Sequence, residues 1–85
     1  MKTFAYTIQD AQGIHARPAG LLVKEAAKFT SAIKLEKGGK SADAKRLFAV
    51  MGLAAKQGET LNVTVEGADE EAAATALETF LKNNL

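Results

Sequence analysis

Residues 33–43, Ile-Lys-Leu-Glu-Lys-Gly-Gly-Lys-Ser-Ala-Asp, decide the fold. Ile33 and Leu35 alternate with Lys34 and Glu36, the two-residue period that gives a strand one apolar and one wet face. Gly38-Gly39 follows at once. A two-residue hairpin loop matched to strand twist needs positive φ at its central positions, which glycine adopts without steric cost. A second short strand, Lys40 to Asp43, then returns beside the first. Because a lone hairpin is marginal in water, the flanking sequence must supply further strands and a cover.

Downstream, Leu47, Phe48, Val50, Met51 and Leu53 follow helical spacing over a short segment, preceded by Asp43 as a cap or first-turn anion. Gln57-Gly58 turns the chain into Leu61, Val63 and Val65, an alternating strand that ends at Gly67. Asp69, Glu70 and Glu71 open a final helix, since carboxylates there face the positive end of the helix dipole. Its buried stripe is expected to hold Ala73, Leu77, Phe80 and Leu81. Upstream, Ala19, Leu22, Val23, Ala26 and Phe29 follow helical spacing with Lys24 and Lys28 toward solvent, in a helix that starts near His15. Before it, Phe4, Tyr6 and Ile8 recur every second residue between Thr3 and Gln9, and Gln12-Gly13 marks a turn. The order β-α-β-β-α-β-α predicts an α+β fold in one domain, residues 1–85. Its form is an open-faced β-sandwich, a four-stranded antiparallel sheet covered on one face by three helices.

Composition excludes several classes. A chain of 85 residues suits one core, and its 47% hydrophobic and 25% charged residues make a globular balance. Lys and Arg total 11 against 10 acids, so net charge offers nothing to nucleic acid. Lys2, Gln9 and Asp10 interrupt the first residues, which lack the apolar run of a secretory signal, and no apolar stretch is long enough to span a bilayer. A cytoplasmic protein, not inserted in a membrane, is the expectation. With no Cys and one His, neither a disulfide frame nor a thiolate or His-rich metal site is expected.

Chemistry concentrates in Gly13-Ile14-His15-Ala16-Arg17-Pro18-Ala19. A neutral imidazole offers an unprotonated nitrogen as nucleophile, and histidine forms covalent intermediates in group transfer. A phosphoryl group there would add a charge of roughly −1.5 to −2, and a helix N-terminus is a ready anion site. Arg17 offers a planar fork of donors to the same oxygens. Pro18 fits a first helical turn, leaving the amides of Ala16 and Arg17 as candidates to face phosphate. A residue before Pro is pushed from helical torsions, so the helix boundary is set to within about two residues. On these features alone, a capping or surface histidine without chemistry stands beside the nucleophile reading.

The stretch 13–19 resembles the active-site signature of the HPr family, histidine-containing phosphocarriers of the bacterial phosphoenolpyruvate-dependent sugar phosphotransferase system. The resemblance covers essentially the whole chain: Gly39-Lys40-Ser41, Met51-Gly52-Leu53 and Glu66-Gly67-Ala68-Asp69-Glu70-Glu71 also fit at matching spacing. It implies that Enzyme I, charged by phosphoenolpyruvate with magnesium, phosphorylates Nδ1 of His15. Sugar-specific IIA-type acceptor domains then take the group. The chain itself would need no cofactor and would be a covalent intermediate of transfer, not a turnover enzyme.

Leu47, Phe48 and Met51 share a short helix that is not expected to bury all three, with a place in the core as the alternative for each, and in the family the matching positions form an apolar patch beside the histidine. Flanked by Lys24, Lys45 and Arg46, such a patch suits partners with an apolar centre and an acidic rim. Gly20, a weak helix former, is a further docking candidate, with a close backbone approach or indifference as alternatives. Many Gram-positive relatives carry a kinase-regulated Ser where this chain has Arg46, so that control is expected to be absent at this position. A monomer is expected. The rival readings are a carrier of the nitrogen-related phosphotransfer branch and a non-catalytic regulatory binding module of the same fold. A free-standing hydrolase lacks an evident base beside His15.

Overall fold

The computed structural model describes all residues, Met1–Leu85. Strand β1 (Lys2–Thr7) leads into helix α1 (Ala16–Ala26), then β2 (Ala32–Lys37), β3 (Lys40–Asp43), the short helix α2 (Leu47–Gly52), β4 (Thr60–Glu66) and α3 (Glu70–Asn84). The four strands form one antiparallel sheet in the order β1-β4-β2-β3. The expected open-faced sandwich is therefore present.

The hairpin turns where the glycines require it, with Gly38 at φ 54° and Gly39 at φ 85°. Lys37 pairs with Lys40 and Leu35 with Ala42, so one apolar row runs across the hairpin. The same row continues into the central strand, because Leu35 faces Val63 and Ile33 faces Val65, and then into β1 through Phe4 opposite Val63. Leu61, Val63 and Val65 are fully buried. The opposite face presents Thr3, Ala5, Asn62, Lys34 and Glu36 to solvent. Helices α1 and α3 close the apolar face, α1 through Ala19, Leu22 and Ala26, α3 through Ala73, Leu77 and Leu81. The core is aliphatic, and burying each Leu or Ile there contributes roughly 1.5–3 kcal/mol. Four of the five aromatic residues (Phe4, Tyr6, Phe29, Phe80) line its margin half-buried, and Phe48 alone is outside at 84% exposure.

Two local expectations are corrected. Asp43 does not cap α2. It ends β3, and its Oδ1 accepts the Lys45 amide at 2.9 Å while its carbonyl accepts the Arg46 amide at 3.0 Å, closing a turn too early to reach the helix. The cap position belongs to Arg46, in extended conformation, with no side-chain capping bond. Phe29 falls beyond the end of α1 at Ala26, in the turn that leads to β2.

At the far end of the molecule Asp69 joins two loops. Its carboxylate accepts the Ser31 hydroxyl, the Thr30 amide at 2.9 Å and the Ser31 amide at 2.9 Å. Three donors to the ionised form, the Ser31 hydroxyl foremost, lower its pKa from 3.8 to about 2 against a smaller opposing effect of desolvation. Asp69 occupies the cap position of α3 while spending its side chain on the α1–β2 loop.

Candidate phosphohistidine site

The loop that carries His15 is pinned on both sides. The Gln9 and Asp10 amides donate to the main-chain oxygen of Leu85 at 2.5 and 2.7 Å, tying the loop to the end of α3. The Gln12 amide donates to Asp10 Oδ1 at 2.8 Å and the Gly13 amide to the Asp10 carbonyl at 3.0 Å, which shapes the turn. The Ile14 amide donates to the Ala55 carbonyl at 2.9 Å. Gly13 has φ 66°, and a methyl group there would meet the Ala55 carbonyl oxygen at 2.3 Å. Only glycine fits, because the loop after α2 passes directly behind it.

Ile14 turns into the core, so His15 turns outward. His15 is the cap residue of α1 with φ −123° and ψ −179°, and its carbonyl accepts the Ala19 amide at 3.0 Å. Its imidazole makes no capping bond, so the backbone does the capping and the ring is left half-exposed. Ala16 and Arg17 are the first helical residues, followed by buried Pro18. Arg17 is helical although it precedes Pro, and Pro18 is tolerated because in the first turn its ring meets no carbonyl of a preceding turn. The amides of Ala16 and Arg17 donate to no acceptor in the protein, and Arg17 is exposed without an ion-pair partner.

These groups share a cleft of about 270 Å³ lined by Asp10, His15, Arg17, Pro18, Leu21, Asn83 and Asn84. Reading the sequence alone misses Asp10, Leu21 and the two asparagines. Leu21 lies one helical turn after Arg17, a spacing that signals a shared face. Asp10 and the asparagines reach the cleft only through the contact between the loop and the end of α3, for which the sequence carries no local signal.

Exposed apolar side chains lie on two helices packed together, Leu21 of the cleft on α1 and Leu47 and Phe48 on α2. Leu21 is 42% exposed, Leu47 36% and Phe48 84%, while Met51 is half-buried against the core. Lys24, in the last turn of α1, and Arg46, at the start of α2, are exposed. Lys45 is placed differently: its ammonium donates to the Phe29 carbonyl at 2.8 Å and tethers the turn after α1. Gly20 has nothing within 4 Å of a built methyl group, which removes close backbone approach as the reason for glycine.

A small α+β sandwich with an uncapped histidine at the start of its first helix is the architecture of a class of phosphocarriers. Residues 2–83 match the family model described as "PTS HPr component phosphorylation site", and the chain belongs to the HPr family of the phosphotransferase system. A "Phosphocarrier protein HPr" of Lysinibacillus sphaericus is 49% identical over 95% of this chain and 92% of its own. An "HPr-like protein Crh" of Halalkalibacterium halodurans is 46% identical over 82% of this chain and 83% of its own. The crystal structure of an HPr from Thermoanaerobacter tengcongensis superposes with a TM-score of 0.94 at 39% identity, covering 99% of this chain and 94% of that one.

Proposed function

We propose that this protein carries a phosphoryl group on Nδ1 of His15, receiving it from phospho-Enzyme I and passing it to sugar-specific IIA-type domains in the cytoplasm. In loading, the His15 nitrogen attacks phosphorus as the bond that holds it to the donor breaks, and in delivery the acceptor's nucleophile attacks as the nitrogen–phosphorus bond on His15 breaks. Phosphoenolpyruvate and magnesium serve the donor enzyme, and the chain, acting as a monomer, is a covalent intermediate rather than an enzyme with its own turnover. The observation that carries this reading is the uncapped His15 ring at a helix start where the Ala16 and Arg17 amides lack acceptors and Arg17 is unpaired. Such groups stabilise the added charge of roughly −1.5 to −2 without covalent work, which is what phosphoryl transfer asks of a protein.

The surface formed by Gly20, Leu21, Lys24, Arg46, Leu47, Phe48 and Met51 docks partners with an apolar centre and an acidic rim. Lys45 serves that surface indirectly, by holding the turn after α1. Lys24 with Leu47 and Phe48 favours the sugar branch over the nitrogen-related one, and Arg46 offers no hydroxyl to a regulatory kinase. A purely regulatory binding module would have no use for the unpaired Arg17 beside an open imidazole.

The test is incubation with Enzyme I, magnesium and phosphoenolpyruvate, followed by intact mass before and after mild acid. One acid-labile phosphate is expected, lost in His15→Ala. In Arg17→Ala its formation should slow about ten- to a hundredfold, the worth of a charge-assisted hydrogen bond. Docking of the partners with no labile phosphate on the native protein would refute the carrier reading in favour of the binding module.

A further inference from the structure

The charges in the His15 cleft do not all favour an anion. Arg17 is its one cation, Asn83 and Asn84 are neutral, Pro18 and Leu21 are apolar, and Asp10 is a carboxylate. Asp10 is also held in place. Its amide donates to the main-chain oxygen of Leu85 at 2.7 Å, its carbonyl accepts the Gly13 amide at 3.0 Å, and its Oδ1 accepts the Gln12 amide at 2.8 Å. Oδ2 accepts from nothing, and no lysine or arginine reaches the carboxylate. The side chain cannot swing out of the cleft without giving up the bond to Gln12.

The turn itself needs only an oxygen at this position, and an asparagine carboxamide would serve it equally. The negative charge is therefore additional to the structural task. Among the side chains that line the cleft, Arg17 and Asp10 balance before transfer. After transfer, the group on His15 brings roughly −1.5 to −2 more into the same space.

We propose that Asp10 is a positioning residue of the opposite sign to Arg17: a fixed negative charge that limits how tightly the phosphoryl group is held on His15 and so keeps it transferable. The inference rests on the carrier reading above. Arg17 and the helix amides lower the energy of the phosphorylated state, and Asp10 raises it. A carrier must load and unload with little loss at either step, so a site built only of cations would favour loading at the expense of delivery. Asp10 and His15 line the same cleft. At a separation of about 6–7 Å in a water-like dielectric, one charge facing the phosphoryl dianion would shift the transfer equilibrium about fivefold.

The experiment uses the full chain as wild type, Asp10→Asn and Asp10→Ala. Each is brought to equilibrium with Enzyme I and magnesium at a series of phosphoenolpyruvate to pyruvate ratios, and the phosphorylated fraction is read by intact mass. Asp10→Asn keeps the oxygen that accepts the Gln12 amide, whereas Asp10→Ala loses both oxygen and charge. Both are expected to favour the phosphorylated form by about fivefold at about 0.01 M ionic strength. The shift should fall below about twofold at about 1 M, where the Debye length shrinks from about 30 Å to about 3 Å. Delivery from the purified phosphorylated Asp10→Asn protein to a IIA-type domain should slow correspondingly, while its urea midpoint stays at the wild-type value.

An equilibrium unchanged in both variants overturns the proposal, and so does a shift that high salt leaves intact, since a merely structural effect is not screened. A wild-type protein that takes no phosphoryl group at all overturns the carrier reading first and this inference with it. Normal loading in all three proteins with identical equilibria overturns this inference alone.

Discussion

Gly13→Ala is the substitution for which the structure gives the firmest magnitude. An alanine at φ 66° bears the left-handed penalty of an L-residue, roughly 1–2 kcal/mol. Its methyl would also stand 2.3 Å from the Ala55 carbonyl oxygen and 2.8 Å from the Lys56 Cα, both backbone atoms that cannot rotate aside. The loop must then separate from the segment after α2, stretching the 2.9 Å bond from the Ile14 amide to the Ala55 carbonyl, for about 1–1.5 kcal/mol more. The total is about 3 kcal/mol, which in urea, with a slope near 1 kcal/mol per molar, lowers the midpoint by about 3 M. The control is Gly20→Ala, where the added methyl meets nothing within 4 Å and the helix gains roughly 0.5–1 kcal/mol. Because Gly13 is two residues from His15, phosphorylation of Gly13→Ala should slow even under conditions where the protein remains folded. A Gly13→Ala midpoint within about 1 M of wild type would refute the reasoning, since it would mean that the two loops separate at almost no cost.

Two other expectations concern the far end of the molecule and the apolar surface. Asp69 has its pKa depressed from 3.8 to about 2 by the Ser31 hydroxyl and the Thr30 and Ser31 amides, so its ionised form stabilises the fold above pH 4 and that contribution is lost as pH falls toward 2. Urea midpoints measured at pH 4 and pH 2 should fall further in wild type than in Asp69→Asn, and equal falls would contradict the assignment. Phe48→Ser should leave thermal stability within experimental scatter, because the ring is 84% exposed, while weakening the docking of Enzyme I measured by calorimetry. A marked loss of stability in that variant would place the ring in the core instead.

The elements that could be read from the chain are those whose cause is local. Gly38-Gly39 forced the hairpin turn, the alternation of Leu61, Val63 and Val65 marked the central strand, and acids at 69–71 marked the last helix. Asp43 misleads because an aspartate before an apolar helical run has two local uses, capping the helix or closing the preceding turn. Only the position of the Lys45 amide decides between them. Lys45 illustrates the same limit, since a lysine near an apolar patch gives no sign that the Phe29 carbonyl lies within its reach. His15 and Arg17 are close in the chain, so the sequence shows them together. Asp10 joins them through the turn, and Asn83 and Asn84 through the bonds from Gln9 and Asp10 to Leu85, contacts that link the two ends of the sequence.

Strand order β1-β4-β2-β3 places the segment from Thr60 to Glu66 between two strands that precede it by dozens of residues, with Lys2 lying against Val65. During synthesis, the first strand emerges from the ribosome with nothing to pair with, and only the β2–β3 hairpin can close early. A two-stranded ribbon does not hold itself together in water. The sheet is thus assembled in a single late event, when its seventh-decade residues arrive and zip both halves at once, so that nascent chains stalled before that point remain open to proteases and chaperones.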